Sequence, residues 1–507
     1  MRFLLSLAFV ILFVLWGVLF PEHLSTTASA VLTFTTTKFG WFYLLVAFGF
    51  LLFCLYLAFS KYGQIRLGDD DDEPEYSTFT WFAMLFSAGM GIGLVFWGVA
   101  EPISHYFAPP QGVEAQTPEA ARMAMRYSFF HWGLHPWGIY AAIALALAYF
   151  KFRKGAKGLI SSTFYPLLGE RVNGPIGKAI DILAIIATVF GVATSLGLGT
   201  LQINGGLAHL FQLPSSVTVQ VCIIAIVTIL YILSATTGLD RGIKILSNTN
   251  LFLALGILLF VLLLGPTAFI FDTFTTTLGG YLQNIIQMSM RLSPFSGSNW
   301  IANWTLFYWA WWIAWAPFVG MFIARVSKGR TIKEFIFGVL LVPSLLSFVW
   351  FSVFGGTALH MEIFQQVPIG QAVDKDVASA LFITLEQLPI GTILAVVSTV
   401  LIITFFITSA DSATFVLGML SSNGDLDPTT KVKITWGILQ SSIAVVLLLS
   451  GGLQGLQTAS IVAAFPFAFI MVLMCVSLLR ALDEEMRTMR KKSREQQKKL
   501  EKLLGQQ

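Results

Sequence analysis

Charge is the first thing this sequence lacks. Only 11% of its 507 residues are Asp, Glu, Lys or Arg, and 56% are hydrophobic. Soluble chains carry about 25% charge, so a soluble globular protein of this length is excluded. Cysteine is nearly absent too. Cys54, Cys222 and Cys475 are scattered through apolar stretches. They offer neither a disulfide framework nor a zinc spacing, and they read as packing residues. There is no phosphate-binding glycine loop, no nucleophile elbow and no CxxC pair. ATP-driven pumping by this chain is thereby excluded, and no nucleophile–base constellation marks an enzyme. A formal net charge of +4 is small and marks no nucleic-acid partner.

What is present is apolar sequence in long runs, the pattern of an all-α integral membrane protein. Twelve spans are expected, at 3–20, 41–59, 79–100, 127–150, 177–200, 217–235, 248–271, 301–324, 335–355, 389–420, 433–451 and 459–479. The first run resembles a signal peptide, and Ala28-Ser29-Ala30 resembles a cleavage site. That tripeptide lies past Pro21 and Glu22, well beyond the apolar run, so a retained first helix is expected. With these spans, 26 of the 31 Lys and Arg residues fall on one side. The positive-inside rule then puts both termini in the cytoplasm. Residues 276–298 are too interrupted to span and read as an amphipathic helix on the outer face. The acidic run Asp69–Glu75 reads as a solvated loop, since its acids lack the alternate spacing of a calcium loop.

Three stretches break the apolar monotony. In "AGMGIGLVFWGVAEP", residues 88–102, Gly89, Gly91 and Gly93 alternate. Each costs a helix about 1 kcal/mol relative to alanine. Close helix packing wants glycines four apart on one face. Alternation predicts an unwound segment instead, tolerated in a membrane only against protein or a polar cavity. In "FFITSADSAT", 405–414, Thr408, Ser409, Asp411 and Ser412 gather oxygens that suit a hard cation such as sodium. In "WTLFYWAWWIAWAPF", 304–318, Tyr308, Trp311, Trp315, Phe318 and, beyond it, Phe322 form one stripe. "HWGLHPWGIY", 131–140, adds Trp132, Trp137 and Tyr140. Lone aromatic stripes are ordinarily packing. Two of them beside a broken helix point to a cage for a quaternary ammonium group. His131 and His135 stand four apart, but no Glu lies between them and Trp132 and Pro136 crowd them, so no metal is expected there.

At these motifs the chain resembles the betaine/carnitine/choline transporter family, over about residues 1–480. It is most similar to sodium-coupled glycine betaine carriers of Gram-positive bacteria. The resemblance implies inverted five-helix repeats of the amino-acid/sodium symporter fold, about 79–271 and 301–480, after two extra N-terminal helices. It implies a cage of Trp132, Trp137, Tyr140 and Trp315, with Trp312 beside it. Ala88, Gly89, Gly91 and Gly93 would receive the substrate carboxylate. One sodium would be held by carbonyls of Ser87, Met90 and Phe405 and hydroxyls of Thr408 and Ser409. Of a second sodium site, Thr188 and Phe318 match, while Val192 stands where another threonine falls. Gly93 stands where choline-carrying relatives tend to have aspartate. The implied function is sodium-coupled uptake of glycine betaine as an osmoprotectant in the bacterial cell membrane, with no cofactor beyond the coupling ion. Choline or carnitine carriage, or a quaternary-ammonium-gated channel or receptor, are the alternatives. A homotrimer is implied. The basic tail, 481–507, is expected to be a cytoplasmic helix able to meet anionic lipid.

Overall fold

The computed structural model describes all residues except 90, 111, 238–239 and 505–507. The helices are α1 (Arg2–Leu19), α2 (Pro21–Phe59), α3 (Thr78–Gly89), α4 (Ile92–Phe107), α5 (Pro118–Trp132), α6 (Leu134–Ala148) and α7 (Pro175–Phe211). They continue as α8 (Val217–Thr237), α9 (Asp240–Leu264), α10 (Thr267–Ser289), α11 (Phe307–Val326), α12 (Ile332–Phe364), α13 (Gly391–Ser421) and α14 (Thr430–Leu504), joined by loops and shorter helical pieces such as Ile369–Lys375 and Ala380–Glu386. Among the described residues, ten helical stretches are long and apolar enough to cross a membrane, or eleven when the bent pair Thr78–Ser87 and Ile92–Phe107 counts as one.

Helix starts follow local chemistry. Pro21, Pro118 and Pro175 each open a helix, where a missing N–H costs nothing. Thr117 accepts from Ala120 N–H, and Thr331 and Glu334 form a reciprocal capping box. Several helices outrun the expected spans. α2 begins at Pro21 and not at 41, because nothing interrupts it before Ser60. The hydroxyls of Thr26, Thr33 and Thr36 bond to carbonyls one turn back, which satisfies them within the helix. The seventh span ends at Leu264, not 271, since Gly265-Pro266 stops it. The expected amphipathic helix starts earlier than 276, at Thr267, and ends at Ser289 ahead of Pro294. The fourth span is two helices. Gly133 separates them, and a Cβ there would lie 2.5 Å from the Phe129 carbonyl and 2.7 Å from the Phe348 ring.

Burial sorts the helices into centre and rim. The most apolar window of Pro118–Arg153 is 94% buried, against 22% for Val217–Thr236 and 17% for α1. Large side chains such as Ile226, Ile229, Phe252 and Leu263 therefore face outward, as lipid-facing positions do.

The last two expected spans form one helix interrupted at Gly452, whose φ of 54° and ψ of −134° are non-helical. A Cβ on Gly455 would lie 2.5 Å from the Leu447 carbonyl, so the chain doubles back on itself. Both arms return to one face. There Arg2 ion-pairs with Asp181 at 2.7 Å, Asp181 also accepts from Ser161, and Ser477 donates to the Thr163 carbonyl at 2.6 Å. α14 runs past residue 480 without a break. Its Glu485 meets Lys154 at 2.6 Å, Tyr149 Oη at 2.6 Å and the Arg153 guanidinium. Burial works against the Glu485 charge, but Lys154, Tyr149 and Arg153 outweigh it and hold the carboxyl below its ordinary value. Arg153 also meets Asp70 at 2.7 Å, so one acid of the otherwise exposed run 69–75 is tied to the helix bundle.

The reversal should be the strained point of the last helix. Gly452→Val should cost about 2 kcal/mol, because only glycine adopts that backbone readily. Gly451→Val is the control, since a Cβ there meets nothing within 4 Å. Thermal denaturation in detergent should show a lower transition for the first variant and an unchanged one for the second.

Candidate functional site

α3 and α4 meet at an angle of 64°. Gly91 is extended (φ −168°, ψ 178°) and α4 restarts after it. The helix is broken inside an apolar segment, as the alternating glycines predict. The first rung of the new helix runs from Val95 N–H to the Gly91 carbonyl at 3.3 Å. The N–H groups of Ile92, Gly93 and Leu94 thus precede the ladder and form the positive end of the helix.

The break faces a cavity of about 840 Å³. Ser87, Gly89, Gly91 and Gly93 line it from the broken helix, and Trp132, Trp137 and Tyr140 from the α5–α6 corner. α11 contributes Trp311, Trp312, Trp315 and Phe318, and α13 contributes Phe405, Thr408, Ser409 and Asp411. The lining continues to Lys151, Arg325, Asp427 and Lys433, on the face that carries the termini. Of the residues expected at the site, Met90 lies outside the described residues, as does the side chain of Ala88. Thr188 is fully buried and donates to its own helix at the Ala184 carbonyl, 2.7 Å away, and it does not line this cavity.

The aromatic walls interlock. Trp132 meets Trp312 edge-on at 4.8 Å, Trp312 stacks on Trp311 at 4.8 Å, and Trp137 meets Tyr140 edge-on at 5.4 Å. Tyr140 reaches Trp312 at 6.2 Å. Trp315 stands apart against Phe318 at 5.0 Å. Its indole N–H donates to the Gly191 carbonyl of α7 at 2.7 Å. Trp312 N–H donates to the His131 carbonyl at 3.0 Å. Gly93 has a second role that the spacing of glycines did not reveal. A Cβ there would fall 2.5 Å from Trp311 and 3.0 Å from Trp132. Its bare backbone is what admits both rings.

On the opposite wall Thr408 Oγ1 donates back to the Thr404 carbonyl at 3.0 Å and accepts from Asn250 Nδ2 at 3.3 Å. Asn250 is 2% exposed and was missed in the sequence. Its signal was an amide inside an otherwise apolar span. Trp311, a member of the aromatic stripe, also lines the cavity, as does Ser195. His131 and His135 do not share a site. His135 Nε2 bonds Ser289 Oγ at 2.8 Å and its ring stacks on Trp309, whereas His131 Nδ1 meets Glu101 at 2.6 Å.

The aromatic-walled chamber, with the positive end of α4 in its wall, reaches Lys151, Arg325 and Lys433 on the face of the termini. That arrangement suits a membrane transporter of small organic cations or zwitterions. Residues 1–487 match the family model of the betaine/carnitine/choline family transporter. The chain belongs to the betaine/carnitine/choline transporter family, and it is a transporter and not an enzyme. It is 55% identical over 94% of its length to the glycine betaine transporter OpuD of Bacillus subtilis, of which 93% is covered. It is 51% identical over 95% to an ectoine/hydroxyectoine transporter of Virgibacillus pantothenticus, of which 96% is covered. A probable glycine betaine transporter of Desulfitobacterium hafniense is 50% identical over 95% of this chain and 97% of its own length.

The direction of the opening is testable by thiol labelling. Ser412 is exposed in the cavity, while Thr305 is buried against His131 and does not line it. In sealed vesicles, Ser412→Cys should react with a membrane-impermeant maleimide from the face of the termini. Thr305→Cys should stay unreactive from that face. Equal labelling of both would contradict the one-sided cavity.

Proposed function

We propose that this transporter takes up glycine betaine with sodium, as an osmoprotectant, by alternating access. The observation that carries the reading is the convergence of three parts on one cavity: aromatic walls, a helix break and the Thr408–Ser409 hydroxyls. The trimethylammonium group seats against Trp132, Trp137, Tyr140, Trp312 and Trp315, each ring face contributing roughly 0.5–2 kcal/mol. The carboxylate meets the unladdered N–H groups at the start of α4, around Gly91 and Gly93. Sodium takes carbonyls at Ser87, Met90 and Phe405 and the hydroxyls of Thr408 and Ser409, oxygens that suit a hard cation. Thr188 and Phe318 remain the counterparts of a second sodium site; Val192 supplies no oxygen to it.

Betaine is favoured over choline because it brings its own negative charge. Choline needs a protein carboxylate near its head group, and Gly93 has none to give. Carnitine carriers of the family lack the hydroxyl pair that this chain has. The relative named for ectoine and hydroxyectoine supports a second reading, since ectoine is also a compact zwitterion.

The architecture proposed around this site has twelve crossings, counting the two arms of α14 separately. Two inverted five-helix repeats follow α1 and α2, with α3–α4 and α11 as their opening helices. The termini face the cytoplasm of a bacterial cell, where 26 of 31 Lys and Arg residues then lie. The proposed assembly is a homotrimer, with the exposed Phe271, Leu282 and Ile286 of α10 available at its interface. The basic end of α14 is proposed to meet anionic lipid headgroups.

Uptake of labelled betaine into proteoliposomes, with and without an inward sodium gradient, tests the reading. Choline, carnitine and ectoine serve as competitors. Betaine uptake independent of sodium would refute the coupling, and stronger competition by choline or ectoine would change the substrate. A channel would instead pass betaine without accumulating it.

Two variants separate the parts. Trp315→Ala should weaken apparent betaine affinity at least about tenfold, the loss of one desolvated ring face. Trp304→Ala should do much less, because Trp304 packs on His105 at 4.4 Å and Trp97 at 5.3 Å, away from the cavity. Thr408→Ala with Ser409→Ala should raise the sodium concentration for half-maximal uptake even at saturating betaine. Retained sodium dependence would move the ion elsewhere.

A further inference from the structure

Glu101, on α4, is fully buried and accepts from four side chains on three helical segments. Oε1 lies 2.6 Å from His131 Nδ1 and 3.2 Å from His105 Nε2. Oε2 accepts from Trp132 Nε1 at 2.8 Å and from Tyr308 Oη at 2.5 Å. Four acceptor positions filled by four donors is the pattern of an ionised carboxylate, which has about four lone-pair sites and nothing to donate. His131 is itself held at its far nitrogen by Thr305 Oγ1, 3.0 Å away.

Two explanations short of a functional one can be weighed. The cluster brings one ligand atom each from Glu101, His105 and His131 within 4.8 Å, as a metal site would. A divalent ion there would set two positive charges against one carboxylate, beside a chamber built for a cation. The hydrogen bonds already fill the carboxylate, and no ion is needed to satisfy it. The second explanation is structural, a polar rivet between α4, α5 and α11. It accounts for His131, His105 and Tyr308 but not for the choice of Trp132. That ring is a wall of the chamber, and its single N–H points to the anion.

We infer that Glu101 is a positioning residue that makes Trp132 a stronger cation receptor. The charge-assisted bond fixes the indole plane against Trp312 and Trp311. It also pulls the N–H proton toward the carboxylate and leaves the ring more electron-rich, since hydrogen-bonded groups polarise one another in a low-dielectric site. A richer ring face attracts a quaternary ammonium group more strongly. The carboxylate lies at the N–H edge of the ring and leaves its faces free, so it adds attraction for a cationic head without occupying the face that would receive it. This inference rests on the betaine reading above and specifies one source of its head-group selectivity.

The test uses 3,3-dimethylbutanoate, the carbon isostere of betaine, which keeps shape and carboxylate and has no positive head. Both compounds compete against labelled betaine in proteoliposomes, and their ratio of inhibition constants is read. In Glu101→Gln the wild-type preference for betaine over the isostere should fall at least about fivefold, with half-saturating sodium unchanged. Glu101→Asp keeps the charge but withdraws it from the indole, and its ratio should lie between the two. If Glu101→Gln does not reach the membrane folded, Glu101→Asp carries the test, and an unaltered ratio overturns the inference. Equal weakening of both competitors, leaving the ratio intact, also overturns it and leaves the rivet. Failure of the wild type to take up betaine at all would refute the betaine reading, a result separate from either.

Discussion

A backbone interrupted in an apolar layer must find partners other than lipid. Everything at the centre of this fold follows from the interruption at Gly91. Hydrocarbon cannot satisfy exposed N–H and C=O groups, so the break demands a polar chamber beside it. That chamber must in turn be walled off from lipid, and the well-buried α5, α6 and α11 do this while the rim helices face outward. The aromatic residues then serve twice. They are apolar enough to seal the wall and electron-rich enough to hold a cation.

Glycine governs how closely the parts meet. Gly93 leaves room for the rings of Trp311 and Trp132, and Gly191 leaves α7 close enough for its carbonyl to hold the indole of Trp315. Three of the chamber's rings are oriented by a hydrogen bond to a different element each: Trp132 by a carboxylate on α4, Trp312 by a carbonyl on α5, Trp315 by a carbonyl on α7. Rings held in this way lose little further freedom when a ligand arrives.

Much of this was legible in the sequence because membrane-spanning segments announce themselves by length and because glycine at alternate positions has a mechanical meaning. The break at Gly91 and the gathering of residues 132–140, 311–318 and 405–409 around one space could be anticipated from spacing and resemblance. The second break, at Gly133, could not. Its cause is the approach of Phe348 from a helix more than two hundred residues away, a contact that no local pattern encodes. The helix limits were misjudged for a related reason. Threonines that look polar enough to end a span bond back to their own carbonyls, so α2 extends far beyond its apolar part. Glu101 was visible as an acid at the end of a quoted motif, but its four partners come from 105, 131, 132 and 308 and exist only in three dimensions.

The uninterrupted course of α14 after Gly452 has a mechanical consequence. From residue 453 to Leu504 the helix is about 75 Å long at 1.5 Å per residue, whereas a bilayer core takes up about 30 Å. From Glu485 to Leu504 it runs on for about 29 Å at 1.5 Å per residue, a helical rod with no joint at its root. Glu485, gripped by Arg153 and Lys154, sits where that rod leaves the bundle. It acts as a fulcrum. A sideways pull on the free end is carried as torque to the arm packed against α7 and α2, instead of being absorbed by a flexible linker.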